Sequence, residues 1–178
     1  MNAAFSVRLP RVFARVLALA GLSLAAVSAD VSQAAAQPGQ DMPAIFSDPA
    51  VANYRLTTAS LDKFVRATNA LKQLEGEEFD IEDRFESEDP EDMNIADIAA
   101  AMDSEPRIKS AINGAGMSSR EYITFIMAMV QATIGSVMVQ MGGEQALNDM
   151  APGVLKDNIR FFTQHRAAFE ALDIGDRN

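Results

Sequence analysis

The feature that most constrains the fold is a run of twenty residues, Tyr122 to Met141, that contains no charged side chain. Signals for helix ends lie on both sides of this run. Ser118 and Glu121 have the S-x-x-E spacing of a capping box, and Gly142-Gly143 follows the run directly. This pattern predicts one helix over about 119–141. Because the helix is apolar around most of its circumference, we expect neighbouring helices to bury it.

A second interpretation of the same run is a membrane span, because twenty apolar residues are long enough to cross a bilayer. Ala128, Ala132 and Ser136 also have the small-xxx-small spacing that is found where helices associate in lipid. Polar side chains such as Gln131 and the absence of flanking basic clusters argue against it. We therefore favour a buried helix, whose row of small residues marks a tightly packed neighbour, with closest approach at Gly135.

The remaining apolar residues recur at helical spacing, and no segment of useful length alternates with the period of a strand. Further helices are predicted over about 59–75, after an N-cap at Asn94, from Pro106, and from Pro152 to near Gly175. In the last helix the residues expected to face inward are Leu155, Ile159, Phe162, Phe169 and Leu172. The predicted fold is all-α, a compact bundle of five or six helices around the long, mostly buried helix at about 119–141.

The first 29 residues have the pattern of a secretory signal peptide. Three arginines precede an uncharged apolar stretch, Val16 to Val27, and Val27-Ser28-Ala29 offers a cleavage site with small residues. Cleavage after Ala36 is an alternative. We expect the mature protein to be periplasmic or secreted, and soluble after removal of the signal.

Three segments follow in the predicted domain organisation. Residues 30–55 read as a flexible lead-in, rich in Ala, Gln, Ser and Pro, although Asp48-Pro49 could begin a short helical turn through Asn53. Residues 56–175 read as a single helical domain. An acidic loop at 75–92 interrupts it.

Charge narrows the range of partners. The chain has a formal charge of −10, and losing three signal arginines would leave −13. Eleven acidic residues and one basic residue lie within 75–92. Such a surface repels nucleic acid, so we expect no nucleic-acid partner. The partner expected is a protein or a small apolar ligand.

Several kinds of chemistry are excluded or disfavoured by the residues themselves. The chain has no cysteine and a single histidine, His165, so disulfides, thiolate metal sites and multi-histidine metal sites cannot form. Hydrolase motifs and phosphate-binding glycine loops are absent from the sequence. We therefore predict no catalytic residues and no cofactor, and expect His165 to be an exposed or capping residue.

Two weak candidate sites remain. Methionine thioethers on the central helix are soft ligands that could hold copper(I), although methionine also fills helical cores. The acidic run lacks the spacing of a calcium-binding loop, and its apolar residues could instead dock a basic partner. The candidates are Met127, Met138 and Met141 for the metal, and Phe79, Ile81 and Phe85 for the partner.

The function expected from the sequence is that of an exported, non-catalytic module of the bacterial envelope that binds a protein or a ligand. One alternative is an envelope protein that uses the helix at 122–141 at the membrane. Another is an enzyme whose site is assembled from residues distant in sequence.

Overall fold

A computed structural model describes residues 44–74 and 94–170. The predicted signal peptide, the acidic loop with Phe79, Ile81 and Phe85, and Leu172 lie outside these residues. The described residues contain helices and no strand, which confirms the all-α prediction.

The helices follow one another through short connections. A 3₁₀ turn precedes seven α-helices in the described residues: the turn is Ala44–Ser47, and the helices are α1 (Pro49–Ala52), α2 (Thr58–Lys72), α3 (Ile95–Ser104), α4 (Pro106–Gly114), α5 (Ser119–Asp149), α6 (Val154–Gln164) and α7 (Arg166–Glu170). Five of them, α2 to α6, have nine residues or more.

Local signals determine where these helices begin. The Asn94 side chain accepts hydrogen bonds from the first backbone N–H groups of α3, and Pro106 is the first residue of α4, both as predicted. Ser118 Oγ accepts a hydrogen bond from the Glu121 backbone N–H at 3.1 Å and so caps α5. The helix α2 begins at a reciprocal capping box between Thr57 and Ser60.

The long helix α5 lies at the centre of the bundle, as the uncharged run predicts. It packs against α6, α3, α1 and other elements. Its regular geometry is interrupted at Gly143, where φ is 73° and ψ is 179°. A positive φ costs glycine little, so the predicted glycine stop is the point at which the helix breaks before a final turn and a half to Asp149.

The segment before α2 belongs to the core, and this corrects the predicted lead-in at 30–55 over residues 44–55. Phe46 and Val51 are buried and join the central hydrophobic cluster. The predicted turn at Asp48-Pro49 is present as α1, and the Asp48 carboxylate caps it by accepting from the Ala50 N–H at 2.7 Å. Burial of apolar side chains supplies the stabilisation that ordering this segment requires.

A single amide joins this N-terminal segment to α6. Asn158 is buried, and its Oδ1 accepts a hydrogen bond from the Leu56 N–H at 2.9 Å. Its Nδ2 donates to the Tyr54 carbonyl oxygen at 2.8 Å. Both backbone groups would otherwise lack partners in an extended stretch, so Asn158 satisfies the segment where helical hydrogen bonding cannot.

The predicted last helix is divided and less buried than expected. His165 has φ −107° and ψ 15°, and this departure from helical geometry separates α6 from α7. Phe162 and Phe169 are buried as predicted, but Leu155 is 42% exposed. Leu155 lies in the first turn of α6, at the edge of the bundle, where fewer neighbours can cover it.

Candidate interaction surface at the end of the central helix

The first half of α5 is held by aromatic side chains. Phe125 is fully buried, and its ring stacks on Phe64 with 4.4 Å between the ring centroids. Phe64 also stacks on Tyr122 at 4.9 Å, and Tyr54 meets the Phe125 ring edge-on at 6.2 Å. These rings bury large apolar areas in defined geometries, so this part of α5 forms a rigid core.

The polar groups in this core are paired. The hydroxyl groups of Tyr122 and Thr68 lie 3.1 Å apart and share a hydrogen bond. Burial raises the pKa of Tyr122 to about 12, against a smaller opposing effect of the Thr68 hydrogen bond. Burial, followed by the nearby Glu121 carboxylate, also raises the pKa of Tyr54. Both shifts keep the phenols neutral, which suits a structural role.

The middle of α5 packs closely on α6 at the row of small residues. Ala128, Ala132 and Ser136 are buried. A Cβ atom added to Gly135 would lie 2.4 Å from Ile159 Cδ1 and 2.8 Å from its Cγ1. The side chain of Ile159 therefore occupies the space that glycine leaves open. This agrees with the close approach predicted at Gly135.

Beyond this contact the apolar side chains of α5 face outward. Val137 is 45% exposed, Met138 66% and Met141 85%. Spacings of three and four residues place these side chains next to one another on the helix surface. Val137 and Met141 belong to the run that was predicted to be mostly buried, and for these two residues the prediction is wrong.

Leu155, on the neighbouring helix, is also exposed. The helices α5 and α6 run antiparallel, since Lys156 reaches the Asn148 carbonyl oxygen near the end of α5 while the later Ile159 contacts the earlier Gly135. Leu155 is one turn before Ile159 on the same side of α6, which places it beside the last turns of α5. We call Val137, Met138, Met141 and Leu155 the apolar tip.

A buried lysine fixes the chain just beyond the tip. Lys156 Nζ donates hydrogen bonds to the carbonyl oxygens of Asn148 at 3.0 Å and Met150 at 2.9 Å. These carbonyls lie at the end of α5, where backbone acceptors lack helical partners and a positive charge is favourable. The lysine therefore holds the connection between α5 and α6, and its side chain is largely buried.

The three candidate copper ligands do not come together. Met127 is buried in the core, whereas Met138 and Met141 are in the apolar tip. Eleven residues separate Met127 from Met138, which is about 16 Å along a helix axis. The three thioethers lie on the same side of α5 but at different heights along its axis. They therefore do not form a common metal site.

The single histidine has a structural role. His165 ends α6, and its ring packs on Phe161 with 4.2 Å between centroids, in agreement with a capping residue. Across residues 44–74 and 94–170, no three His, Asp or Glu side chains group closely enough to hold a metal ion.

One helix within the described part of the chain is long and apolar enough to cross a membrane, the stretch of α5 from Ser119 to Gly143. The most apolar 18 residues of this stretch have a mean hydropathy of 1.7, and 61% of them are buried inside the protein. The core helix of a soluble protein meets the same criteria, so length and composition alone do not distinguish the two. The exposed portion of α5 is concentrated at the apolar tip.

Sequence reasoning named two residues of the tip, Met138 and Met141, but for a different role. The signal that could have found the tip is helix length. The helix predicted over about 119–141 is longer than the helix predicted over about 59–75, so its end extends past that neighbour.

Comparisons with protein-family models, with curated proteins and with solved structures found no match to this chain.

Proposed function

We propose that this protein is an exported, soluble module of the bacterial envelope that binds a protein partner through the apolar tip, without catalysing a reaction. The observation that carries this proposal is the outward-facing group of large apolar side chains at the end of α5 and the start of α6. Met138 and Met141 are three residues apart on α5 and therefore adjacent, and adjacent apolar side chains on the surface of a soluble protein mark interaction sites more often than isolated ones do.

The composition of the tip suits a binding surface. Two of its residues are methionines, whose unbranched and polarisable side chains adapt to the shape of a partner. The adjoining backbone is held by Lys156 and by the Ile159 contact with Gly135, so the surface is presented on a fixed support. Ordering a partner against such a support costs less entropy than ordering a loose segment.

Charge favours a partner whose contact face is apolar with basic residues around it. The chain carries a formal charge of −10, and its exposed acids include Asp149 near the tip. Opposite charge at the rim steers association, whereas nucleic acid and anionic lipid are repelled.

Membrane association through α5 is the second candidate, supported by its hydropathy and length. A span would require Phe125, Ala128 and Ala132 to leave the core, where each is fully buried. That would expose the surfaces of α2, α3 and α6 that now cover them. We therefore favour the soluble form, in which the first half of α5 serves the fold and the tip serves binding.

The test is a quantitative pull-down from the native envelope with tagged protein. The decisive variant combines Met138→Gln and Met141→Gln, which keeps side-chain length and makes the tip polar. The matched control is Gln140→Ala, an exposed residue on the same turns that does not belong to the tip.

We expect one partner to be retained by the original protein and by the Gln140→Ala variant, and lost by the double methionine variant. Removing two buried interface side chains of this size weakens binding by about 2 kcal/mol or more, which is a loss of over about tenfold. Equal recovery with all three proteins would overturn the role of the tip. Recovery only in a detergent-extracted membrane fraction, unaffected by the double variant, would favour the membrane candidate.

A further inference from the structure

The methionines of the described residues differ in exposure: four are buried, two are exposed and Met150 is half-buried. Met138 and Met141 lie in the apolar tip with most of their side chains in solvent. Among the described residues the buried methionines are Met102, Met117, Met127 and Met129. The core therefore shields four thioethers, and the proposed binding surface presents two.

These thioethers are the natural targets for an oxidant in this chain. The sequence has no cysteine, so no thiol competes for a two-electron oxidant. A hydroperoxide transfers one oxygen atom to the methionine sulfur: the O–O bond breaks, a sulfur–oxygen bond forms, the peroxide is reduced to an alcohol or water, and the thioether becomes a sulfoxide. The product is polar and chiral where the original side chain was apolar.

We propose that Met138 and Met141 form an oxidant-modification site, at which hydroperoxides convert the apolar tip to a polar surface. The consequence for partner binding rests on the proposed function, but the modification itself does not. Both sulfurs belong to side chains three residues apart on one face of α5, so their oxidation changes a single surface.

Because Met138 and Met141 lie on the surface, their oxidation can change the binding surface without unfolding the protein. A sulfoxide at Met127 would place a polar group among fully buried side chains, where an unpaired dipole is costly. A sulfoxide at Met138 or Met141 remains hydrated. Oxidation at the tip therefore leaves the bundle folded, and methionine sulfoxide reductases can reverse it.

The first experiment treats the purified protein with hydrogen peroxide and follows each methionine-containing peptide by mass spectrometry. We expect sulfoxide at Met138 and Met141 to form at least about tenfold faster than at the four buried methionines. The same reaction in denaturant should make the rates nearly equal, because the difference comes from burial. Equal rates in the folded protein, or loss of helical circular dichroism as the first two sulfoxides form, would overturn the proposal.

The second experiment measures retention on a phenyl matrix, which reports exposed apolar surface without a known partner. Peroxide should shorten the retention of the original protein, and methionine sulfoxide reductases should restore it. The matched control combines Met138→Leu and Met141→Leu, which keeps the tip apolar and removes the reactive sulfurs. Its retention should not respond to peroxide, and an equal response would locate the effect elsewhere.

The two proposals fail in different ways. Failure of the envelope pull-down with intact peroxide selectivity would count against the partner and leave the modification site supported. Capture of a partner through the tip with no selective oxidation would support binding and overturn the oxidation site.

Discussion

The two halves of α5 have similar uncharged sequences and opposite environments. From Tyr122 to Val130 every side chain is buried, and Phe125 lies within a stack of rings. From Val137 to Met141 the large apolar side chains are exposed or half-buried. Hydropathy alone does not distinguish these halves, because both fall in one run without charge. What differs is the presence of neighbours.

Helix length explains the contrast. The stretch Ser119–Gly143 has 25 residues, whereas α2 has 15 and α6 has 11. At about 1.5 Å per residue, α5 extends some 15 Å further than α2 before it breaks. The helix α2 therefore reaches only the first half of α5, and α6 covers one side of the second half, which leaves the tip exposed.

The largest effect is expected from removing the ring at the centre of the buried half. Phe125→Ala deletes a fully buried side chain that stacks on Phe64, and we expect a loss of about 3–5 kcal/mol in the free energy of unfolding. The matched variant in the exposed half, Met141→Ala, should change it by less than about 0.5 kcal/mol. Denaturant titrations monitored by circular dichroism measure both. Similar losses would remove the distinction between the halves.

A smaller loss is expected at the boundary between the halves. Gly135→Ala places a Cβ against Ile159, a fully buried side chain with little room to move, and should cost about 1–3 kcal/mol despite the better helix propensity of alanine. Ile159→Val removes Cδ1, the atom nearest to the added Cβ. The double variant should therefore lose less stability than the sum of the losses of the two single variants.

The control for this boundary is Gly114→Ala in α4, where an added Cβ meets no atom within 4 Å. It should be neutral or slightly stabilising. A double-variant cycle that shows no coupling between Gly135 and Ile159 would contradict the close packing of α5 on α6.

The buried half should also respond to alkaline pH. Burial raises the pKa of Tyr122 from the ordinary 10.0 of tyrosine to about 12, so the folded state holds the proton more strongly than the unfolded state. The contribution of the protonated Tyr122 to the free energy of unfolding is fully present below pH 10. It is lost as the pH rises from about 10 towards 12, at up to about 1.4 kcal/mol per pH unit. Unfolding titrations at several alkaline pH values test this. The Tyr122→Phe variant should lose stability less steeply over that interval, and an identical slope would contradict it.

The smallest effect is expected in the exposed half. The combination of Met138→Gln and Met141→Gln replaces two exposed side chains and should shift the free energy of unfolding by less than about 0.5 kcal/mol. Thermal unfolding should show a change in midpoint of only a few degrees. A large loss would show that the tip is part of the core, and the same variant could then no longer isolate a binding role.

Much of the fold follows from local chemistry in the sequence. The N-caps Asn94 and Ser118, the proline of α4 and the glycine at which α5 breaks act within a few residues, so a pattern can reveal them. The contact at Gly135 was also predictable, because a small residue in a buried helix implies a close neighbour.

Features that depend on distant neighbours could not be predicted in this way. Phe46 and Val51 lie in a segment without helical periodicity, and their burial depends on surfaces supplied by the rest of the bundle. Periodicity likewise placed Leu155 on the inner side of α6 without showing that its first turn lies at the edge. The same holds for the candidate site. The sequence indicated Met138 and Met141 as metal ligands, whereas their exposure in the structure makes them part of a proposed binding surface.

The amide of Asn158 has a consequence for the order in which the chain completes its structure. Asn158 is more than 100 residues away in sequence from both of its partners, Tyr54 and Leu56. The segment before α2 therefore cannot acquire its final hydrogen bonds until α6 is present, although it is made first. We expect this segment to complete its hydrogen bonds only after most of the chain has been synthesised.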